Sequence, residues 1–164
     1  MITRSKWESE SKPGLASDEI PADAITADLR TKGNTLSFWK CGRATDSEVT
    51  SAVLAIAAGR QSLQKLDIVW IPQEELTRWG HQMVSTPGTT PFTEMVDRHV
   101  DVCHLDYHRL GQIGDQVAVA IRQRRCKRFA QQAVLDLLVD RFHGGRVSEE
   151  GLTKKLRTTI LNAL

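Results

Sequence analysis

Residues 115–143 read DQVAVAIRQRRCKRFAQQAVLDLLVDRFH, a run without a single glycine or proline. Val117, Ile121, Phe129, Ala133, Val134, Leu137 and Leu138 recur along it at the three- to four-residue spacing of one helical face. The run therefore predicts helix on both sides of a basic centre, as one long helix or as two with a bend. That centre holds Arg122, Arg124, Arg125, Lys127 and Arg128, with only Gln123 and Cys126 between them. On a helix, successive residues rotate by about 100°, so five such charges form a broad positive collar rather than a stripe. Gly144 and Gly145 end the run, and Ser148 is placed to cap a last helix carrying Leu152, Leu156, Ile160 and Leu164. From about residue 115 the chain is thus expected to be helical.

Upstream the period changes. Leu36–Cys41, Leu66–Ile71 and Val100–Leu105 read as strands, each short, apolar and bounded by turn residues. Thr45 and Glu48 have capping-box spacing and open a helix that buries Val49, Val53, Ile56 and Ala57. Pro72 begins another, with Leu76, Trp79 and Met83 facing inward, and Asp115 is expected to open a longer one past Gly114. Ser85, Pro87, Gly88 and Pro91 make residues 85–91 a loop. Strand starts about 30 residues apart, with a helix in each gap, suit crossover units. The expected fold is α/β: a small parallel or mixed sheet of at least three strands covered by helices, with a helical C-terminal subregion. Residues 1–16 are expected to form a flexible polar arm and residues 17–164 a single domain. Within the arm, Trp7 is an isolated indole, an anchor for the arm or a contact for another chain.

Composition narrows the classes. A chain of 164 residues can bury roughly 70 % of its unfolded surface, enough for a true core. Apolar content of 40 % and charged content of 26 % exclude wholesale disorder. Cys41, Cys103 and Cys126 are widely separated and lack paired spacing, which fits a reducing, cytoplasmic setting. The nearly uncharged stretch Val49–Ala58 is far shorter than the roughly 20 residues a membrane span needs. Charge is segregated: residues 1–60 carry 8 Lys+Arg against 8 Asp+Glu, 61–120 carry 4 against 8, and 121–164 carry 10 against 4.

Four constellations offer chemistry. The basic block suits an acidic protein surface or, alternatively, nucleic acid, although Phe129 is its only nearby ring for base stacking. His99, Asp101 and Cys103 alternate onto one face of a strand, the donor types a divalent ion takes, with His104, Asp106 and His108 following. An acid–base enzyme is a further alternative, its site near His99 and Asp101, joined by Asp67 if their strands are neighbours. The helix–Gly-Gly–helix tail superficially resembles a DNA-reading pair, yet its leucine stripe is better explained by packing, internally or between copies of the chain. Nucleophile elbow, phosphate loop and cofactor motif are missing, so no cofactor is expected. The reading that results is a non-catalytic binding protein, an accessory, regulatory or immunity-like component that docks an acidic partner through a basic C-terminal helical surface.

Overall fold

A computed structural model describes residues 4–7, 19–60, 62–147 and 149–163. Its elements, in chain order, are α1 (Arg4–Trp7), α2 (Ala22–Asp28), β1 (Leu36–Trp39), α3 (Asp46–Ala58), β2 (Leu66–Val69), α4 (Gln73–Arg78), β3 (Gln82–Ser85), α5 (Thr93–Val96), β4 (His99–Cys103), α6 (Tyr107–Arg122), β5 (Cys126–Phe129), α7 (Gln131–His143) and α8 (Lys154–Leu161). The chain divides into two compact units. One draws on Met1–Ser37, Asp67–Val84 and Asp101–Arg128, the other on Phe38–Leu66, Ser85–Val100 and Phe129–Leu164.

The architecture is α/β with a helical C-terminal part, but its sheets are antiparallel, not parallel. One has three strands in the order β1-β4-β3 and the other pairs β2 with β5. Lys40 N donates to Arg98 O, Leu105 N to Asn34 O and Trp70 N to Arg125 O, each joining chain segments that run in opposite directions. The crossover expectation fails because two short strands lie where helix was expected. β3 arises because α4 stops at Arg78 and Gly80 turns the chain with φ +72°, so Met83 sits on a strand and not on a helix. β5 interrupts the basic run itself, so the five charges form no helical collar.

In the first unit, α6 is the longest element. Asp106 Oδ1 accepts from Arg109 N at 2.7 Å and starts it, so the helix begins before Gly111 and Gly114 rather than at Asp115. Gly114 belongs inside because α2 packs there: a Cβ would stand 3.2 Å from Ile25 Cδ1. Ile113, Val117 and Ile121 are buried along the same helix, each contributing about 1.5–3 kcal/mol of apolar burial. Trp7 is also buried, and its indole Nε1 donates to Asp28 Oδ2 at 2.9 Å, which fastens α1 beside α2. The remainder of the expected arm lies outside the described residues.

In the second unit, α3 packs against α5 and α7, and α7 against α8. Val49, Ala52, Val53, Leu54, Ala55, Ala57 and Ala58 are buried, and the small alanines allow neighbouring helices to approach closely. Thr45 Oγ1 accepts from Glu48 N as a capping box requires. The Glu48 carboxylate reaches further back, accepting from Gly42 N at 3.0 Å and Arg43 N at 2.8 Å. Leu152, Leu156 and Ile160 are buried in the same unit, so the stripe considered for a partner helix is spent on internal packing. Thr153 caps α8 through Leu156 N, whereas Ser148 and Leu164 lie outside the described residues.

Candidate functional site

The five basic residues sit on the α6–β5 turn and on β5. Arg122 is the last residue of α6 and Gln123 its C-cap. Arg124 N donates to Ile121 O and Arg125 N to Ala120 O, the paired closing bonds of a Schellman turn. Such a turn demands a left-handed residue after the cap, and Arg124 supplies it with φ 59°. α4 and α7 close with the same pair of bonds: Gly80 N to Thr77 O with His81 N to Leu76 O, and Gly145 N to Phe142 O with Arg146 N to Arg141 O. There the left-handed seat holds glycine, at φ 72° and 64°. At the basic turn it holds an arginine.

Arg125 and Arg128 are committed within the first unit. Asp67 on β2 is 5 % exposed, and Arg128, facing it across the two-stranded sheet, donates from Nε at 2.6 Å and from a terminal nitrogen at 2.9 Å. This fork supplies the hydrogen bonds without which a buried carboxylate would be costly. Arg125 donates both terminal nitrogens to Glu75 of α4 at 3.4 Å. Together the two pairs fix the turn at its far side. Arg122, Arg124 and Lys127 are exposed on it.

A strand replaces the expected helix here for a physical reason that helical periodicity could not carry. A left-handed residue at 124 ends α6, and Arg128 finds its counter-ion only when extended backbone sets it opposite Asp67. Phe129, the ring inside the basic run, is buried, which removes it as a stacking surface for bases, whereas half-buried Trp70 is joined to Arg125 through its backbone N.

The alternating ligand set is placed as strand geometry dictates. Val100 and Val102 are buried, and His99, Asp101 and Cys103 lie on the half-exposed face of β4. Each has local work. His99 Nδ1 lies 3.1 Å from Thr86 O and 2.9 Å from Thr86 Oγ1, so the carbonyl assigns the ring proton to Nδ1. Its ring meets Trp39 edge-on, with centroids 5.0 Å apart. Asp101 Oδ1 accepts from Ser37 Oγ at 2.7 Å, and Cys103 Sγ donates to Asp101 O at 3.6 Å. Along one strand, residues four apart stand roughly 13 Å from each other, too far for His99 and Cys103 to share an ion. Among the described residues no three His, Cys, Asp or Glu side chains are grouped to hold a metal. Asp67 does not join Asp101, because β2 pairs with β5 and not with β4.

Cys41 is a poor nucleophile where it stands. Its Sγ points to Glu48 O at 3.8 Å, and burial, then the Glu48 charge, push the thiol above its ordinary pKa. Glu48 itself is held below the ordinary carboxylate range by the Arg43 amide first and the Gly42 amide second. Both act on the entry to α3, in the second unit.

No helix among the described residues is long and apolar enough to cross a membrane. Comparison of the chain with protein-family models, curated proteins and solved structures finds no match. The functional reading therefore rests on the chemistry of the surface alone.

Proposed function

We propose that this protein is a non-catalytic binding protein whose α6–β5 turn docks an acidic polypeptide segment. The observation that carries the reading is Arg124 in a seat that glycine fills at the two matching turns. A left-handed L-residue costs about 1 kcal/mol relative to glycine, so the fold gains nothing from a charged side chain there. Beside it, Arg122 and Lys127 are also exposed, while the pairs to Glu75 and Asp67 hold the turn rigid. Preorganised cations lose less freedom on binding and speed the encounter with an acidic surface. A polypeptide is favoured over nucleic acid because the exposed cations of the turn are few, whereas a nucleic-acid track needs a longer charged groove.

Fluorescence anisotropy with a labelled oligoglutamate peptide tests this, with a labelled DNA duplex as the second probe. The peptide should bind and weaken as salt rises, and Arg122→Glu with Arg124→Glu should lower its affinity about tenfold or more. Arg125 and Arg128 are left intact, since their loss would strand Glu75 and the buried Asp67. Binding of the duplex in preference to the peptide would replace the reading with nucleic-acid recognition. Failure of both probes, or affinity indifferent to the two substitutions, would overturn it.

A further inference from the structure

His81 is the described side chain most at odds with its surroundings. It follows the Gly80 turn that ends α4 and immediately precedes β3, an outer strand of the three-stranded sheet. It is 5 % exposed, and neither Nδ1 nor Nε2 has a hydrogen-bond partner in the protein. A buried imidazole normally gives its N–H to a carbonyl or carboxylate, which also fixes the tautomer. Here only the backbone is tied down, by His81 N donating to Leu76 O at 3.1 Å. The ring sits there as an apolar filler that happens to be able to take up a proton.

We propose that His81 is an acid-sensitive latch: protonation of its imidazole expels the ring from its buried site, opens the α4–β3 turn and lets β3 peel from β4. A charged imidazolium has no acceptor at either nitrogen, and burial denies it water. Arg109 of α6 adds like charge. Burial first and Arg109 second hold the imidazole below its ordinary pKa, so the closed form favours the neutral ring. Among the other ionisable groups of α4, Glu75 is engaged by Arg125, while Glu74 and Arg78 are exposed; β3 contributes none. Neither α4 nor β3 therefore has a carboxylate in place to compensate the proton. The strand the latch controls is the weakest in its sheet to hold: Gln82, Val84 and Ser85 are exposed, and only Met83 is partly covered. The latch does not rest on the docking reading: α4 is tied to the basic turn through Glu75 and Arg125, but His81 makes none of those contacts.

Amide hydrogen exchange of the full chain at pH 7.4 and pH 5.0, corrected for the chemical rate, tests it. Protection of residues 80–85 should fall by roughly tenfold for each pH unit below the imidazole's ordinary pKa, until the closed-state pKa is reached, while α3 keeps its protection. His81→Phe should hold β3 protection level across the same range. Where that variant does not fold, Arg109→Met keeps the imidazole and its burial, removes the repelling charge and should weaken the acid response. Equal protection of β3 at both pH values in the wild-type chain would overturn the latch. So would an acid response that persists at full strength in either variant.

Discussion

Arg124 shows how one dihedral angle separates stability from use. The Schellman turn after α6 needs φ near +60°, and glycine meets that need without a Cβ clash. Arg124→Gly should therefore stabilise the fold by about 1 kcal/mol and raise Tm by about 3 °C in a chain of this size, measured by thermal unfolding. The same substitution should weaken oligoglutamate binding. A variant that gains stability while losing affinity would identify the side chain as retained for contact; one that loses both would assign it to the fold. Sequence alone shows the five charges but not this division among them. Asp67 and Glu75 are distant in the chain from their arginines, and nothing in local spacing announces a pairing across more than forty residues. Trp7 was legible as an anomaly, an indole among polar residues, yet its partner Asp28 emerges only when α1 and α2 are brought together.

At the scale of elements, the legible ones are those whose start and stop signals are local. Thr45 and Glu48 mark α3 because a capping box is read within four residues, and Gly144 with Gly145 ends α7 for the same reason. β3 and β5 were not legible, since four-residue strands carry too few alternations to outvote helical spacing, and their partners supply the deciding interactions. Residues 86–91 are irregular as their breakers predict, while Ser85 belongs to β3 instead, and the loop's role is structural and specific. Gly88 N donates to Val96 O, and a Cβ on Gly88 would come 2.5 Å from Trp39 Cη2 and 3.0 Å from His99 Cβ. The loop therefore lies directly on the Trp39–His99 pair. Gly88→Ala should destabilise the protein by about 1–3 kcal/mol, the usual cost of overpacking, because an indole packed edge-on and a hydrogen-bonded imidazole have little room to withdraw. Urea unfolding with Trp39 fluorescence as one probe would measure it. A neutral result would show that the loop is held elsewhere and only rests over the ring.

For the molecule as a whole, acid should act in two stages, because its two clearest proton-linked groups titrate in different windows and belong to different units. His81, in the first unit, is disfavoured when charged in the fold, so the unfolded state takes up its proton first as pH falls through the imidazole's ordinary range near 6.5. Stability is intact above that range and declines below it until the folded group also titrates. Glu48, in the second unit, has the opposite charge type but the same direction of effect. Its carboxylate accepts the amides that open α3, so its contribution is full above the ordinary carboxylate pKa and is lost as pH falls through the lower folded value. The indoles can distinguish the stages, since Trp7, Trp70 and Trp79 lie in the first unit and Trp39 in the second. Indole N–H resonances followed from pH 7.5 to pH 3 should show Trp79, two residues from His81, responding between pH 7 and 5 while Trp39 holds. The Trp39 signal should move only below about pH 4.5, and Glu48→Gln should make it insensitive there. Simultaneous movement of all four resonances at a single pH would mean that neither group governs its own unit and that acid unfolds the chain through carboxylates elsewhere.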